Sequence, residues 1–294
     1  MNKSIPLLLA LLAVLLHTLQ AAEVEPTFKD VQYGDHKDQH INFWKIESDK
    51  PTPLFVLIHG GGWLGGKNQD TVSDSMLNQG YSVASVEYRL AGVELLPAAV
   101  HDAARAIQFL RYKAKEWNID PTRIVCQGGS AGAASSLWLA YHDDMADPCS
   151  KDPIARQSSR ISGAIGMGGQ TTFDPFLLEK EIGIAAIQHP MVWKTFGAKS
   201  HDHLKENWDQ FKALSTECAP LTHVTQDDPP VYLRYGKPAP VPVIKGDGIH
   251  HAGFGKLLKA KCDEVGISCH LNVAGETQSK LSHSDFIRKV LKLD

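Results

Sequence analysis

Two glycine-bearing segments hold the residue types that acyl-transfer chemistry requires. Gly128-Gly129-Ser130-Ala131-Gly132 fills the pattern Gly-x-Ser-x-Gly, between the apolar run Ile124-Val125-Cys126 and a small-residue segment that reads as a helix start. In that context the pentapeptide is a nucleophile elbow, where a serine stands on a strained strand-to-helix turn. Small neighbours are needed because the backbone turns too tightly for larger side chains. A glycine- and serine-rich loop would explain the pentapeptide alone, but a second segment lies upstream in the expected order. Leu54 to Ile58 form a short β-like run that ends in His59-Gly60-Gly61-Gly62-Trp63. Glycines so placed let backbone N–H groups approach a substrate oxygen and hold the charge of a tetrahedral intermediate.

With these two motifs the chain resembles the α/β-hydrolases of the hormone-sensitive-lipase and esterase/lipase-like carboxylesterase group. The resemblance covers most of the chain beyond its first residues. It also rests on Glu87-Tyr88-Arg89-Leu90, on Leu96-Pro97-Ala98-Ala99 with His101-Asp102, and on Asp120-Pro121-Thr122-Arg123-Ile124. It implies hydrolysis of carboxylic esters by a serine, a histidine and an acid, with no metal or organic cofactor. Ser130 is then the nucleophile, and N–H groups of Gly61, Gly62 and Ala131 form the oxyanion hole. Trp63 and Gly169 are candidate substrate contacts, although packing for the tryptophan and a plain turn for the glycine explain them equally well. Glu87-Tyr88-Arg89 reads as structural support for the oxyanion loop.

Chain order in this fold runs serine, acid, histidine, which places the general base near the C-terminus. His283, in Leu281-Ser282-His283-Ser284-Asp285-Phe286, is the candidate; a helix cap is its alternative role, and His270, inside a strand, is weaker. The acid departs from the group's pattern. Where the group carries Gly-x-x-Asp after a strand, this chain reads Gly236-Lys237-Pro238-Ala239 after Val231 to Tyr235. Asp247, reached through a proline-bearing insertion, takes the role if the insertion bulges outward and returns. Asp227 and Asp228 read as turn formers, and Asp285 stands too close to His283. A chain without a working acid would be an impaired hydrolase or a binding protein on a hydrolase fold. A serine peptidase on the same fold is a further alternative. Gly61 to Asn68 nearly matches a phosphate-binding loop, but Asn68 offers no hydroxyl for magnesium.

The elements that must position these residues alternate strand with helix. Strands are expected at Ile41–Glu47, Leu54–Ile58, Tyr81–Tyr88, Ile124–Gln127, Ile161–Met167, Val231–Tyr235 and His270–Val273. Helices are expected from Pro97, over Ala131–Tyr141, through Cys262 and over Asp285–Leu291. That alternation means an α/β-hydrolase fold, a mostly parallel central sheet with helices on both faces. Residues 142–224 exceed what one strand and one helix can use, so an insertion is expected there, either a cap over the site made of parts of this segment or surface helices with no role in it.

The 294 residues, 43% apolar, suit a single catalytic domain over residues 23–294. A net charge of −3 without a basic run argues against nucleic acid or an anionic membrane as partner. The expected partner is a small-molecule or polysaccharide-linked ester. Residues 1–22 read as a secretory signal peptide: Lys3, the apolar stretch Leu7 to Leu16, then a small residue at the cut. That stretch is short for a membrane span, so no stable membrane anchor is expected, and the mature chain is expected to be secreted or periplasmic. Export permits disulfides. Cys149, Cys218, Cys262 and Cys269 would allow two bridges in three pairings, whereas Cys126 reads as a small core residue. Neither His201-x-His203 nor His250-His251 has metal-ligand spacing, and no metal site is expected.

Overall fold

A computed structural model describes residues 22–276 and 278–293. The leader expected over 1–22 therefore lies, except for Ala22, outside the described residues. Eight strands form the main sheet: β1 (Phe28–Gln32), β2 (His40–Trp44), β3 (Thr52–Ile58), β4 (Ser82–Val86), β5 (Ile119–Gly129), β6 (Gly163–Met167), β7 (Val231–Tyr235) and β8 (Cys269–Val273). Their spatial order is β8-β7-β6-β5-β3-β4-β2-β1. From β4 through β8 every pairing is parallel, whereas β2 runs antiparallel to both β1 and β4. The central strands are apolar on both faces, as a sheet covered by helices requires: Leu54, Val56 and Ile124, with Phe55 and Val125, are all buried. The seven strands expected from sequence are all present, and β1, largely exposed on the sheet edge, is the one that the apolar pattern does not signal.

Helix α1 (Ala98–Tyr112) buries Val100, Ala103, Ala104, Ile107 and Leu110, the stripe read from the sequence. Helix α2 (Ala131–Tyr141) follows β5 and is buried along its whole length. Its small residues set that depth. A Cβ on Gly132 would lie 2.0 Å from the Ile58 carbonyl oxygen, so only glycine lets the helix start this close to β3.

Between β6 and β7 the chain forms six short helices: α3 (Pro175–Glu181), α4 (Ile184–Gln188), α5 (Pro190–Trp193), α6 (His201–Glu206), α7 (Trp208–Cys218) and α8 (Pro220–His223). This is the expected insertion. Helices α9 (Gly253–Val265) and α10 (His283–Leu291) flank β8. All five cysteines are thiols. Cys262 Sγ lies 3.3 Å from the Tyr141 hydroxyl, Cys149 is exposed and Cys218 buried, and the two-bridge arrangement is not formed. Among the described residues no helix is long and apolar enough to cross a membrane.

Candidate active site

The site is built at the carboxyl ends of β3, β5, β6 and β7. Ser130 has φ 53° and ψ −121°, a strained conformation for a residue with a side chain. It holds because β5 ends in Gly128-Gly129 and its own N–H donates to the Met167 carbonyl at 2.9 Å. The hydroxyl thus stands clear of strand and helix alike. Helix α2 starts at the next residue, so the Ala131 N–H is among those an α-helix leaves without an intrahelical partner.

The second segment forms a tight loop after β3. Gly61, Gly62 and Trp63 have φ of 103°, 64° and 55° in succession. The Gly61 carbonyl accepts from Leu64 and Gly65 N–H at 3.0 and 3.1 Å. A Cβ on Gly61 would lie 2.1 Å from the Gly65 oxygen, which excludes any other residue there. Gly60 packs on the elbow itself, its Cβ position 3.5 Å from the Ser130 Cβ.

Beneath this loop His59 Nε2 meets Glu87 Oε1 at 3.0 Å, and its ring stacks on Tyr88 at 4.1 Å. The other Glu87 oxygen accepts from Asn68 N–H at 2.9 Å. Burial alone would raise the Glu87 pKa, but these bonds outweigh it and hold the carboxyl below its ordinary value. Arg89 clamps buried Asp102 through Nε and Nη2 at 2.8 and 2.6 Å. Glu87-Tyr88-Arg89 thus lies beneath the Gly61-Gly62 loop and fixes it through His59, Asn68 and Asp102.

The histidine beside the serine is not the one that chain order indicates. His250 Nε2 lies 3.0 Å from Ser130 Oγ, and His250 Nδ1 lies 2.9 and 2.8 Å from the two oxygens of Asp247. His283 instead gives Nε2 to Gln127 Oε1 at 2.7 Å. The reason is local: Ser282 Oγ caps α10, which makes His283 the first residue of a helix laid against the sheet. Burial, and then Arg234, lower its pKa. Asp247 stands where the bulging insertion was expected to return it, but its partner is three residues away rather than beyond β8.

Asp247 and His250 are held from both sides. Gln170 Nε2 donates to the Ile249 carbonyl at 2.7 Å. His251 accepts the Gly253 N–H at Nδ1, so Nε2 carries the proton that it gives to the Ala239 carbonyl at 2.9 Å. On the insertion side Val243 N–H donates to Ile182 O at 2.7 Å, and Ala185 N–H to Val243 O at 3.0 Å. A Cβ on Gly248 would fall 2.5 Å from Ala186 N, so loop and α4 touch backbone to backbone. The insertion also reaches the oxyanion loop: His189 and Met191 lie within 3.8 Å of the Cβ position at Gly62. His189 accepts the Met191 N–H at Nδ1, and burial, then His250, keep its pKa below the ordinary histidine value. It therefore presents an N–H at Nε2.

Two expected substrate contacts face elsewhere. Trp63 is fully buried, donating Nε1–H to Ser135 Oγ at 3.0 Å and packing on Phe173, because its positive φ turns the side chain into the core. Gly169 is buried against Ala133, and its carbonyl accepts from the Tyr235 hydroxyl at 2.7 Å. Its neighbour Gly168 is the one that faces the His250 ring: a Cβ there would lie 3.6 Å from Cδ2. One surface depression lies far from the serine, at the amino ends of the strands, lined by Asp228, Ser268, His270 and Lys289.

The sheet order, the parallel crossovers and the strained serine after the central strand define an α/β-hydrolase fold. Within that class the chain belongs to the BD-FAE family, which matches residues 43–247. It is 22% identical to the probable carboxylic ester hydrolase LipM of Mycobacterium tuberculosis, over 71% of this chain and 47% of that protein. The chain spans about half the length of the curated relatives it matches over most of its own. Among solved structures it is similar to a truncated carbohydrate esterase from gut microbiota, with a TM-score of 0.69, 17% identity and coverage of 90% and 96% of the two chains. An acetyl ester-xyloside bifunctional hydrolase from Caldicellulosiruptor lactoaceticus has a TM-score of 0.62 and 21% identity, over 86% of this chain and 85% of that one.

Proposed function

We propose that the protein is a carboxylesterase-type serine hydrolase acting through an acyl-enzyme on short-chain or carbohydrate-linked acyl esters outside the cytoplasm. The observation that carries this reading is the continuous hydrogen-bonded line Ser130 Oγ, His250, Asp247. His250 takes the serine proton at Nε2 as Oγ attacks the ester carbonyl, and Asp247 fixes the tautomer at Nδ1 and stabilises the imidazolium. The N–H groups of Gly61, Gly62 and Ala131 receive the oxyanion. His250 then returns the proton to the leaving alcohol. A water, deprotonated by the same imidazole, attacks the acyl-serine and releases the acid. The ester-hydrolysing relatives support the reaction class. The names of the structural neighbours favour carbohydrate-linked acetyl or similar groups as substrate. The secretory leader read from the sequence supports action outside the cytoplasm.

Hydrolysis of p-nitrophenyl esters from acetate to decanoate tests the reading. Ser130→Ala and His250→Ala are expected to lower kcat by roughly 10⁴-fold or more, as for catalytic residues that act as a unit. Asp247→Asn should cost about 10²- to 10³-fold, less than for a buried acid, because the Asp247 side chain is 65% exposed. His283→Ala should stay within about threefold of wild type, its site being a packing one. Activity lost in His283→Ala but kept in His250→Ala would overturn the assignment of the base.

A further inference from the structure

A second group of histidines lies away from Ser130, where α1, α2 and the last helices of the insertion meet. His142, just after α2, places Nε2 3.1 Å from Glu217 Oε1 on α7. His101 of α1 places Nε2 3.7 Å from the same oxygen. His223 ends α8, and its ring centroid is 4.8 Å from that of His142. One ligand atom from each of His142, Glu217 and His223 lies within 4.8 Å of the others.

The outer contacts of the group are those of a metal site. His142 Nδ1 lies 2.9 Å from the Asp143 carbonyl, which can only accept, so Nδ1 carries a proton. With Nδ1 so engaged, Nε2 is the ring nitrogen turned toward the Glu217 carboxylate, and a cation between the two would take both as ligands. His223 likewise gives Nε2–H to the Glu217 carbonyl at 2.7 Å, leaving Nδ1 as its lone-pair nitrogen. Histidine ligands characteristically donate their other ring N–H to a backbone carbonyl or carboxylate in this way. The Glu217 carbonyl is fixed in turn by Trp138 Nε1–H at 2.8 Å, and Trp138 stacks on the His142 ring at 4.1 Å. Burial lowers the pKa of His101, with Glu217 opposing.

We propose that His142, Glu217 and His223, with His101 in the fourth position, bind one zinc-type divalent transition-metal ion. Three imidazoles and one carboxylate suit zinc and its neighbours rather than calcium or magnesium, which take oxygen ligands. Zinc–nitrogen bonds of about 2.0–2.1 Å set tetrahedral ligands roughly 3.3 Å apart, so side-chain rotations must draw together His142, Glu217 and His223, whose ligand atoms lie within 4.8 Å of one another, and swing in His101, now 3.7 Å from Glu217 Oε1. The side chains of His101 and Glu217 are 40% and 37% exposed, so the ion can enter from solvent. Bound there, it would clasp α7 and α8 of the insertion to the far end of α2, the helix that begins behind Ser130. This site is independent of the proposed esterase chemistry.

The test is calorimetric titration of the untagged protein with zinc alone, together with its melting temperature in zinc and in a chelator. Wild type should bind one equivalent and gain melting temperature. His142→Ala and His223→Ala should bind at least tenfold more weakly and gain none, while circular dichroism confirms that they fold. Glu217→Gln, which keeps the shape of the side chain, should weaken binding in the same direction. His250→Ala should bind as wild type. No saturable binding by wild type would overturn the site. So would binding lost in His250→Ala and kept in His142→Ala, which would put the ion in the serine cleft.

Discussion

At the residue scale, the site depends on groups whose partners are specified by geometry rather than by type. Glu87 is the example with a measurable consequence. It lies under the oxyanion loop with its carboxylate bonded to His59 and to the Asn68 and Tyr88 N–H groups, and its pKa is held below 4.5. A carboxylate depressed in the folded state contributes stability that is complete above its unfolded pKa and is lost as pH falls through the folded one. Glu87→Gln should therefore lower the melting temperature at pH 7, by the equivalent of roughly 1–3 kcal/mol for a charged hydrogen-bonded group. The difference from wild type should shrink as pH falls below 4.5. Melting curves from pH 7 to pH 3 check this, and a difference constant over that range would mean that Glu87 is not the ionised support described.

The histidine assignment belongs to the same scale. Asp247-x-x-His250 puts the carboxylate and the imidazole on one short loop, so their pairing is local rather than assembled from two loops. The i, i+3 spacing of an aspartate and a histidine was visible in the sequence, but the pair His250-His251 was weighed there only as metal ligands. What separates the two neighbours is the direction of the loop. His251 turns inward to bond Ala239 O, and His250 turns outward to Ser130.

At the scale of elements, the insertion is packed directly against the loop beside Ser130. Ile182 to Ala186 pair with Val243 and press against Gly248, so α4 is one wall of the loop that carries Asp247 and His250. A deletion within Glu179 to His203 should remove the support of the Asp247–His250 loop. A single substitution reads this more cleanly. Gly248→Ala puts a Cβ 2.5 Å from Ala186 N, where neither backbone can yield without shifting. An ångström of misplacement can cost about 10²-fold in rate. The variant should lose at least about tenfold in kcat on p-nitrophenyl acetate while its melting temperature changes little, because the sheet is untouched. Unchanged kcat would show that α4 does not set the loop.

At the scale of the whole molecule, the sheet divides the apolar interior in two: a large cluster runs from Tyr33 and Phe43 to Leu258 and Val273 and into the insertion, and a smaller one gathers Trp44, Phe55, Val125 and Phe286 on the opposite face. The large cluster encloses Cys126, Cys218, Cys262 and Cys269 and leaves Cys149 alone at the surface. Thiol reactivity follows exposure as well as thiolate character. The native protein should release one rapid equivalent with a chromogenic disulfide reagent and the remaining four only after unfolding, with the fast phase absent in Cys149→Ser. Two or more rapid equivalents would mean that the core opens readily. The reach of the large cluster into the insertion also explains why the insertion can act on the serine cleft at one end and bring Glu217 to His142 at the other.

Local sequence was enough for the elbow at Ser130, the Gly61-Gly62 loop, seven of the eight strands and the return of Asp247 after a bulge. Each depends on backbone restrictions or on apolar periodicity within a few neighbouring residues, and such short-range constraints are written in residue order. The tertiary structure decided what depends on direction and on distant partners. It turned Trp63 into the core and Gly169 against α2, bound His283 to Gln127, and chose His250 to face the serine. It also gathered His101, His142, Glu217 and His223 from four separate helices or helix ends. No local pattern announces such meetings, because packing of a whole chain, not spacing along it, determines which side chains share a point in space.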